Sequence, residues 1–249
     1  DFELAAGLLF TEGLVEGRAE IEQLRFCQSS KSCSPESDMP PQNNQYNRLT
    51  AHLRISASLA QQRLSKRPSA SLPQSACGLC SFEELVSKEF MLEWARNLSP
   101  DKISEMCPAP AWEAENGGLP QGFSNMLGEL AVPGSVFVRT GAAHACAVFA
   151  HSGRLVAVCE DVGRHNACDK ALGQLLLKSR LPRFRLEPGQ GLLFSSRLSF
   201  ELAAKAVRAG ASWMASVGAP TELAVQLAQL CQIPIWGFVG KDRANRYWP

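Results

Sequence analysis

The fold is decided by residues 190–239, which read QGLLFSSRLSFELAAKAVRAGASWMASVGAPTELAVQLAQLCQIPIWGFV. Three short apolar runs in this stretch predict strands, and the two segments between them have the apolar spacing of helices. The predicted strands are 190–196, 212–217 and 234–239, and the predicted helices are 199–209 and 221–231. Strands that alternate with helices indicate a layered α/β sheet with parallel members, and runs such as LLFSS and WMASV fit strands covered on both faces.

Upstream of this stretch, alternating strands and helices are predicted back to about residue 119, and before that the predicted elements are separated by long polar segments. We predict strands at 135–139, 143–150 and 154–160 and a helix at 166–178, and further upstream helices at 1–14, 82–97 and 119–131 and strands at 20–27 and 49–56. The predicted domains are an α/β core, 119–249, and a smaller N-terminal subdomain, 1–118. The subdomain contains a Ser/Gln/Asn-rich insertion at 28–47, predicted to be disordered, and a mobile loop at 61–81.

Composition narrows the possible partners and compartments. Of the 249 residues 45% are hydrophobic and 20% are charged, which is enough apolar material for a sizeable core. The net charge of +1 gives no global case for nucleic acid or an anionic membrane, and no apolar run reaches the roughly 18 residues of a membrane span. Nine irregularly spaced cysteines argue against a secreted disulfide framework, so we expect a cytoplasmic protein. Because the chain opens on Asp1 in helical sequence, we expect its natural start to lie further upstream.

The sequence CGLC at 77–80 is the first candidate for chemistry. Two thiols separated by two residues can lower each other's pKa, which suits a persulfide carrier, a thiol–disulfide couple or half of a zinc site. A zinc site needs a second ligand pair, and downstream there are only Cys107 and then the separated His144 and Cys146. A thioredoxin-like motif would open a helix directly after a strand, whereas a polar, Ser-rich stretch precedes this pair. A mobile arm with a reactive thiol fits a group carrier.

Zinc-dependent deaminase chemistry is disfavoured by the same region. That chemistry needs His-x-Glu upstream of Pro-Cys-x-x-Cys. Here Ala76 precedes Cys77, and the only upstream histidine, His52, is followed by Leu53 and Arg54.

Four further segments place polar residues at predicted strand ends, where α/β sheets gather their ligands. Residues 160–170, EDVGRHNACDK, combine Arg164 and His165 with a helix start that can bind an anion, and Asn166 is the predicted N-cap; a salt-bridged surface turn is the alternative. Residues 140–144, TGAAH, form a small-residue turn that leaves room for a ligand.

The other two segments follow later strands. In SSRLSFE, 195–201, Arg197 lies near a helix that begins at Ser199, and Lys205 and Arg208 on that helix are expected to be exposed. The tail has a glycine turn whose backbone N–H groups and cations can bind nucleotide phosphates, with Asp242 able to accept from a guanine edge; a solvated basic tail is the alternative.

Together these segments resemble the FdhD family, accessory proteins that make formate dehydrogenases active. The matching segments, in the family's order, read FELAAGLLFTEG, CGLC, TGAAHACA, EDVGRHNACDKALG, SSRLSFELAAKAVRAG, SVGAPTELAVQLA and GFVGKDRANRY. The resemblance implies that a cysteine desulfurase loads a persulfide onto the CxxC loop. It also implies that the loop delivers this sulfur to the molybdenum of a bis-molybdopterin guanine dinucleotide cofactor. Cys77 would bear the persulfide, and Cys80 would be its relay or resolving partner.

The resemblance further implies a cytidine-deaminase-like α/β body without the zinc site, and a homodimer. The residues aligned with the family's segment for the guanine dinucleotide end are Val239, Gly240, Lys241, Asp242, Arg243 and Ala244. Ser81 departs from the family's usual Gly, the family's leading strands are absent upstream of Asp1, and the insertion at 28–47 is not typical.

One hypothesis rests on strand-end placement alone: Arg164, His165, Arg197 and Lys205 line a cavity that holds cofactor phosphates or steadies the persulfide. Three other functions stay open. They are a small-molecule enzyme such as a deaminase or nucleotide hydrolase, a thiol–disulfide oxidoreductase, and a cofactor chaperone that does not handle sulfur.

Overall fold

The computed structural model describes residues 1–26, 49–65, 119–131 and 135–248. Its helices are α1 (Phe2–Thr11), α2 (Ala57–Ser65), α3 (Leu119–Leu130), α4 (Val136–Thr140), α5 (Arg164–Lys178), α6 (Phe200–Ala209) and α7 (Glu222–Leu230). Its strands are β1 (Ile21–Phe26), β2 (Leu49–Leu53), β3 (His144–Phe149), β4 (Leu155–Asp161), β5 (Gly191–Phe194), β6 (Met214–Ser216), β7 (Ile235–Gly237) and β8 (Asn245–Trp248). Several of the predictions concern residues outside these ranges: the insertion at 28–47, Cys77, Cys80, Ser81 and the helix at 82–97. The predicted domain boundary at residue 118 also lies outside them, so the division into two domains stays a prediction.

The main sheet has six strands in the order β4-β3-β5-β6-β7-β8, and β1 and β2 form a separate antiparallel pair. Strands β5, β6 and β7 are mutually parallel, while β3 is antiparallel to both β4 and β5. Because β3 opposes both of its neighbours, β4 runs in the same direction as β5. The carboxyl ends of β4, β5, β6 and β7 therefore share one side of the sheet with the amino ends of β3 and β8, and we call this side the C-terminal rim.

Both faces of this sheet are covered, as the sequence predicted. Along β3 the side chains alternate with a period of two, so that Cys146 and Val148 belong to one core and Ala145 and Ala147 to the other. The first core contains apolar residues of α1, α5, α6 and α7. The second packs α3 against the sheet, and its rings, those of Phe123, Trp213 and Trp236, meet edge to face at 5.7 to 6.5 Å between centroids.

Helices α1 and α5 approach each other backbone to backbone. A Cβ atom added at Gly7 would lie 1.8 Å from the carbonyl oxygen of Asp169, and one at Gly173 would lie 1.9 Å from that of Glu3. Only glycine leaves room for this crossing, which draws the end of α1 over α6.

The expectation that Lys205 and Arg208 are exposed is wrong, since only 8% of the surface of each residue is accessible to solvent. The Lys205 ammonium donates to both carboxylate oxygens of Asp169 at 2.7 and 2.8 Å and to the Thr11 hydroxyl at 3.0 Å. Arg208 donates to the Phe10 carbonyl and pairs with a Glu16 carboxylate oxygen at 3.3 Å. Buried charge is tolerated here because α1 and α5 supply partners for it.

The strand predicted at 135–139 is also wrong, because these residues form helix α4. The Ser135 hydroxyl caps the helix by accepting from the Val138 N–H at 3.2 Å, and Gly141 ends it with a φ of 62°. The Glu160 carboxylate accepts the N–H groups of the first two helical residues at 2.9 and 3.1 Å. These caps outweigh the strand preference of the sequence VFV.

Within the described ranges, no helix is both long and apolar enough to cross a membrane.

Candidate functional site

The C-terminal rim brings together four segments that the sequence singled out. Along the rim, residues at the ends of paired strands lie side by side. These pairs are His144 of β3 with Asp161 of β4, Phe194 of β5 with Ser216 of β6, and Gly237 of β7 with Asn245 of β8. The end of β4 lies four strand steps from the end of β7, a span of about 19 Å at the usual strand spacing. Residues 140–144, 160–170, 195–201 and 239–244 thus border one elongated surface.

The β4–α5 turn uses its acidic residues for internal contacts. The Asp161 carboxylate accepts from the Gly163 N–H at 2.9 Å and the Asn166 side chain at 3.0 Å, and it pairs with Lys170 at 2.6 Å. Burial alone would raise the pKa of Asp161, but these hydrogen bonds and the Lys170 charge lower it below its ordinary value. Helix α5 begins at Arg164 with Gly163 as N-cap, so the predicted cap at Asn166 is wrong: its side chain holds Asp161 instead.

His165 is a neutral imidazole with an unsatisfied buried atom. Burial, followed by the Arg164 charge, lowers the pKa of His165 to about 4. Glu201, Lys205 and Glu12 also act on its charge, which places the ring close to α6. Its Nε2 is buried and has no hydrogen-bond partner among the described residues. Such an atom marks a place where a ligand can complete a hydrogen bond.

The β5–α6 turn has a second atom of this kind. Ser199 is the N-cap of α6, but its hydroxyl makes no capping hydrogen bond. That hydroxyl is buried and lacks a partner in the described part of the chain. Arg197, in the same turn, is exposed and packs against Gly218, which follows β6. The contact is close, because a Cβ added at Gly218 would lie 2.8 Å from the Arg197 Cγ.

Val239, Gly240, Lys241, Asp242, Arg243 and Ala244 form the β7–β8 turn. The buried Val239 donates its N–H to the Ser216 carbonyl at 3.0 Å, and Gly240 donates to the Arg243 carbonyl at 2.8 Å. These bonds anchor the backbone while the side chains of Lys241, Asp242 and Arg243 remain exposed. Strand β8, which closes this turn, was not predicted.

A family model described as FdhD/NarQ matches residues 120–248. A sulfur carrier protein FdhD of Mycolicibacterium paratuberculosis is 35% identical over 248 residues, which cover 99% of this chain and 80% of that protein.

The chain belongs to the FdhD/NarQ family.

A second FdhD relative, the sulfur carrier protein of Streptomyces avermitilis, is 33% identical over 247 residues, covering 99% of this chain and 77% of that protein. The fold is similar to that of a protein of Desulfotalea psychrophila described as a formate dehydrogenase accessory protein. The TM-score is 0.60 at 19% identity, and the match covers 99% of this chain and 77% of that one.

The FdhD/NarQ match contains the entire rim, since 120–248 spans β3 to β8. Arg164 and His165 lie at the end of β4, Arg197 at the end of β5, and Lys241 and Arg243 after β7. Sequence reasoning missed Ser199 as an unsatisfied hydroxyl and Phe238 as an exposed ring, because neither burial nor backbone dihedrals can be read from residue type. Among the described residues, no cluster of His, Cys, Asp or Glu is arranged to hold a metal ion.

Proposed function

We propose that this FdhD/NarQ chain is a sulfur carrier that serves a formate dehydrogenase. In this proposal a cysteine desulfurase supplies sulfur to Cys77, with Cys80 as its partner thiol. The sulfur then passes to the molybdenum of a bis-molybdopterin guanine dinucleotide cofactor before that cofactor enters the dehydrogenase. The relatives named sulfur carrier protein FdhD support the carrier role, and the accessory protein of similar fold is consistent with the recipient.

The observation that carries the proposal is the convergence of four separate segments on the C-terminal rim. A guanine dinucleotide combines a base that presents donors along its edge with a negatively charged diphosphate. The β7–β8 turn offers the exposed Asp242 carboxylate for the base edge and the cations Lys241 and Arg243 for phosphates. Arg197, two strand steps away, lies about 10 Å across the rim, within the length of one nucleotide.

A second anion position is proposed at the starts of α5 and α6. Helix N-termini carry unsatisfied N–H groups and a partial positive charge, and both of these helices begin at the rim. His165 Nε2 and the Ser199 hydroxyl can each give a hydrogen bond to a phosphate oxygen or to a sulfur atom there. The Lys205 ammonium already donates to the Asp169 carboxylate. We therefore propose that Lys205 contributes only its positive charge near His165 and no hydrogen bond to a ligand.

The proposed transfer at Cys77 is a thiol exchange. A Cys77 thiolate attacks the terminal sulfur of the desulfurase persulfide, a new sulfur–sulfur bond forms on Cys77, and the desulfurase cysteine leaves as a thiolate. A neighbouring thiol such as Cys80 favours this step by lowering the pKa of the nucleophile. The proposal also includes a homodimer, a cytoplasmic location and a cytidine-deaminase-like body without zinc.

Mass spectrometry after incubation with a cysteine desulfurase and cysteine tests the carrier step. The expected result is a gain of one sulfur mass on the peptide that contains 77–80, abolished by Cys77→Ser and unchanged by Cys231→Ser, which alters a buried cysteine of the core. An unmodified 77–80 peptide, or sulfur elsewhere, contradicts the proposal. A Cys77→Ala chain that still activates formate dehydrogenase would instead identify a cofactor chaperone, and dithiol-driven turnover without a desulfurase would identify an oxidoreductase.

A further inference from the structure

A basic surface lies on the side of the sheet opposite the C-terminal rim. Helix α5 begins at the rim, so the loop of residues 179–185 that follows this helix lies on the other side, near the start of β5. The loop packs against residues 16–20, which follow α1, and 53% of its Leu181 is accessible to solvent. The exposed and partly exposed side chains of this region, which we call the Arg183 surface, are Arg18, Arg63, Arg180, Leu181 and Arg183.

The loop is held in a fixed conformation. A Cβ added at Gly17 would lie 2.2 Å from the Pro182 carbonyl oxygen, so only glycine lets the loop come this close. The Phe184 N–H donates to the Glu16 carbonyl at 2.7 Å, and the buried Phe184 ring meets the Phe10 ring edge to face at 5.0 Å. A surface that is ordered before it binds loses little conformational entropy when a partner docks on it.

The two carboxylates beside the loop are already paired. The Glu20 carboxylate accepts from Arg63 at 2.6 and 2.9 Å, and Glu16 pairs with Arg208 at 3.3 Å. Burial alone would raise the pKa of Glu20, but the hydrogen bond from Arg63 and the charges of Arg63 and Arg183 lower it below its ordinary value. Because these carboxylates are neutralised internally, the loop presents an excess of positive charge to solvent.

The composition of the Arg183 surface fits a protein partner. Leu181 is exposed between Arg180 and Arg183, so an apolar side chain is flanked by two guanidinium groups. Protein interfaces combine an apolar centre with a polar rim and are enriched in arginine. The complementary surface therefore has an apolar depression for the leucine and carboxylates placed around it for the arginines.

The Arg183 surface also lies beside the start of the chain segment that leads to Cys77. Arg63 fixes the end of α2 to this region by donating to the Leu14 carbonyl at 2.8 Å, and the helix ends at Ser65. Cys77 follows Ser65 by twelve residues, a length that can extend to about 40 Å. The chain is thus long enough to bring Cys77 to a partner docked here, while the rim stays free for the cofactor.

We propose that the Arg183 surface is the docking site for the sulfur donor, a cysteine desulfurase that presents an acidic patch around an apolar depression. This inference rests on the proposed function and adds the place where the donor binds. Charges at an interface steer the encounter, so the arginines set the association rate. Leu181 is desolvated only in the complex, so its contact sets the dissociation rate.

The test is surface plasmon resonance of the whole chain with the cysteine desulfurase that loads sulfur onto it, at about 50 mM and about 300 mM NaCl. Arg180→Glu and Arg183→Glu should each lower the association rate constant about threefold to tenfold at the lower salt concentration and less at the higher. Leu181→Ser should raise the dissociation rate constant about tenfold, because the complex then buries less apolar surface. Arg180→Glu and Leu181→Ser keep the test independent of Arg183, whose charge also acts on Glu20.

The matched control is Arg139→Glu. Arg139 is also an exposed arginine, but it belongs to α4, which ends just before β3 begins at the rim. This variant makes the same change in net charge on the other side of the sheet, and it should bind the desulfurase as the parent does.

Four results would overturn the inference. If the desulfurase loads the parent and all three variants bind it equally well, the Arg183 surface is not its docking site, although the proposed function stands. If the variants change the mass of the particle in light scattering and bind the desulfurase normally, the surface is a contact between copies of the chain. If they lose affinity for a DNA duplex and keep it for the desulfurase, the surface binds nucleic acid. If no desulfurase transfers sulfur to the parent, the proposed function fails, and the docking site fails with it.

Discussion

Replacing His165 by glutamine should remove a loss of stability that the parent protein suffers between pH 7.5 and pH 5. Burial and the Arg164 charge lower the pKa of His165 from 6.5 to about 4 in the folded state. Lys205 acts in the same direction, whereas Glu201 and Glu12 oppose it. Because the folded pKa is depressed, the contribution of His165 to stability is fully present above about pH 6.5 and is lost as the pH falls toward about 4.

The size of the effect follows from these two pKa values. At pH 5 the imidazole of the unfolded chain is almost fully protonated and that of the folded chain is mostly neutral. Linkage then gives about 2 kcal/mol less stability at pH 5 than at pH 7.5. Because the ring is only half-buried and solvent screens part of its interactions, we reduce this to about 1 kcal/mol. Glutamine retains a hydrogen-bonding side chain but does not titrate.

Urea denaturation at both pH values measures the difference directly. The parent should lose about 1 kcal/mol more than His165→Gln on going from pH 7.5 to pH 5. His151→Gln is the matched control, because His151 is an exposed histidine in the turn between β3 and β4, and this variant should follow the parent. Equal losses in the parent and His165→Gln would refute the assignment of His165 as a neutral imidazole at the rim.

Asp169→Ala should lower the free energy of unfolding by about 3 to 5 kcal/mol in urea titrations, since it leaves the Lys205 ammonium buried and unpaired; a loss below 1 kcal/mol would exclude that ion pair as a structural element. Gly173→Ala should destabilise by about 1 to 3 kcal/mol despite a better helix former, because the new methyl group meets an α1 carbonyl. Gly128→Ala, with open space around its Cβ, should be neutral or stabilising by up to about 1 kcal/mol, and equal effects of the two variants would contradict the close crossing. Arg243→Ala should weaken GDP binding at low ionic strength and less so at high salt; a difference independent of salt would argue against a phosphate contact.

Strands β3 to β7 of the main sheet could be predicted, because the local sequence pattern indicates which of their side chains are buried. Strands β5 and β6 are short apolar runs covered on both faces, and β3 alternates with a period of two. Helix α4 could not be predicted, because its sequence VFV favours a strand and one of its caps comes from Glu160, 24 residues downstream. Strand β8 was missed for a related reason: Asn245–Trp248 is an edge strand with mostly exposed side chains, so no apolar alternation distinguishes it from a solvated tail.

The burial of Lys205 and Arg208 is a tertiary effect of the same kind. Both belong to a helix whose pattern allows one apolar face and one charged face. Their partners Thr11 and Glu16 lie almost 200 residues earlier in the chain, in or just after α1. The close Gly7–Gly173 crossing brings α1 near enough to supply them, and a single sequence does not show which helices cross.

The candidate site depends on two strands that run against the others. If β3 were parallel to β4 and β5, the turn at 140–144 would open on the far side of the sheet, away from the ends of β4 and β5. Because β3 and β8 are antiparallel to their neighbours, their amino ends return to the C-terminal rim and extend it to all six strands.

The rim also explains how a chain with a net charge of only +1 can present a basic surface to a polyanion. The two acidic residues at the end of β4 make internal contacts, since Glu160 caps α4 and Asp161 is held by Lys170 and the α5 turn. The exposed ionic side chains at the ends of β5 and β7 are Arg197, Lys241, Asp242 and Arg243. Three of these four are cations, so the local field favours an anion such as phosphate even though the whole molecule is nearly neutral. The exposed Asp242 carboxylate is the acceptor that the proposed function assigns to a guanine edge.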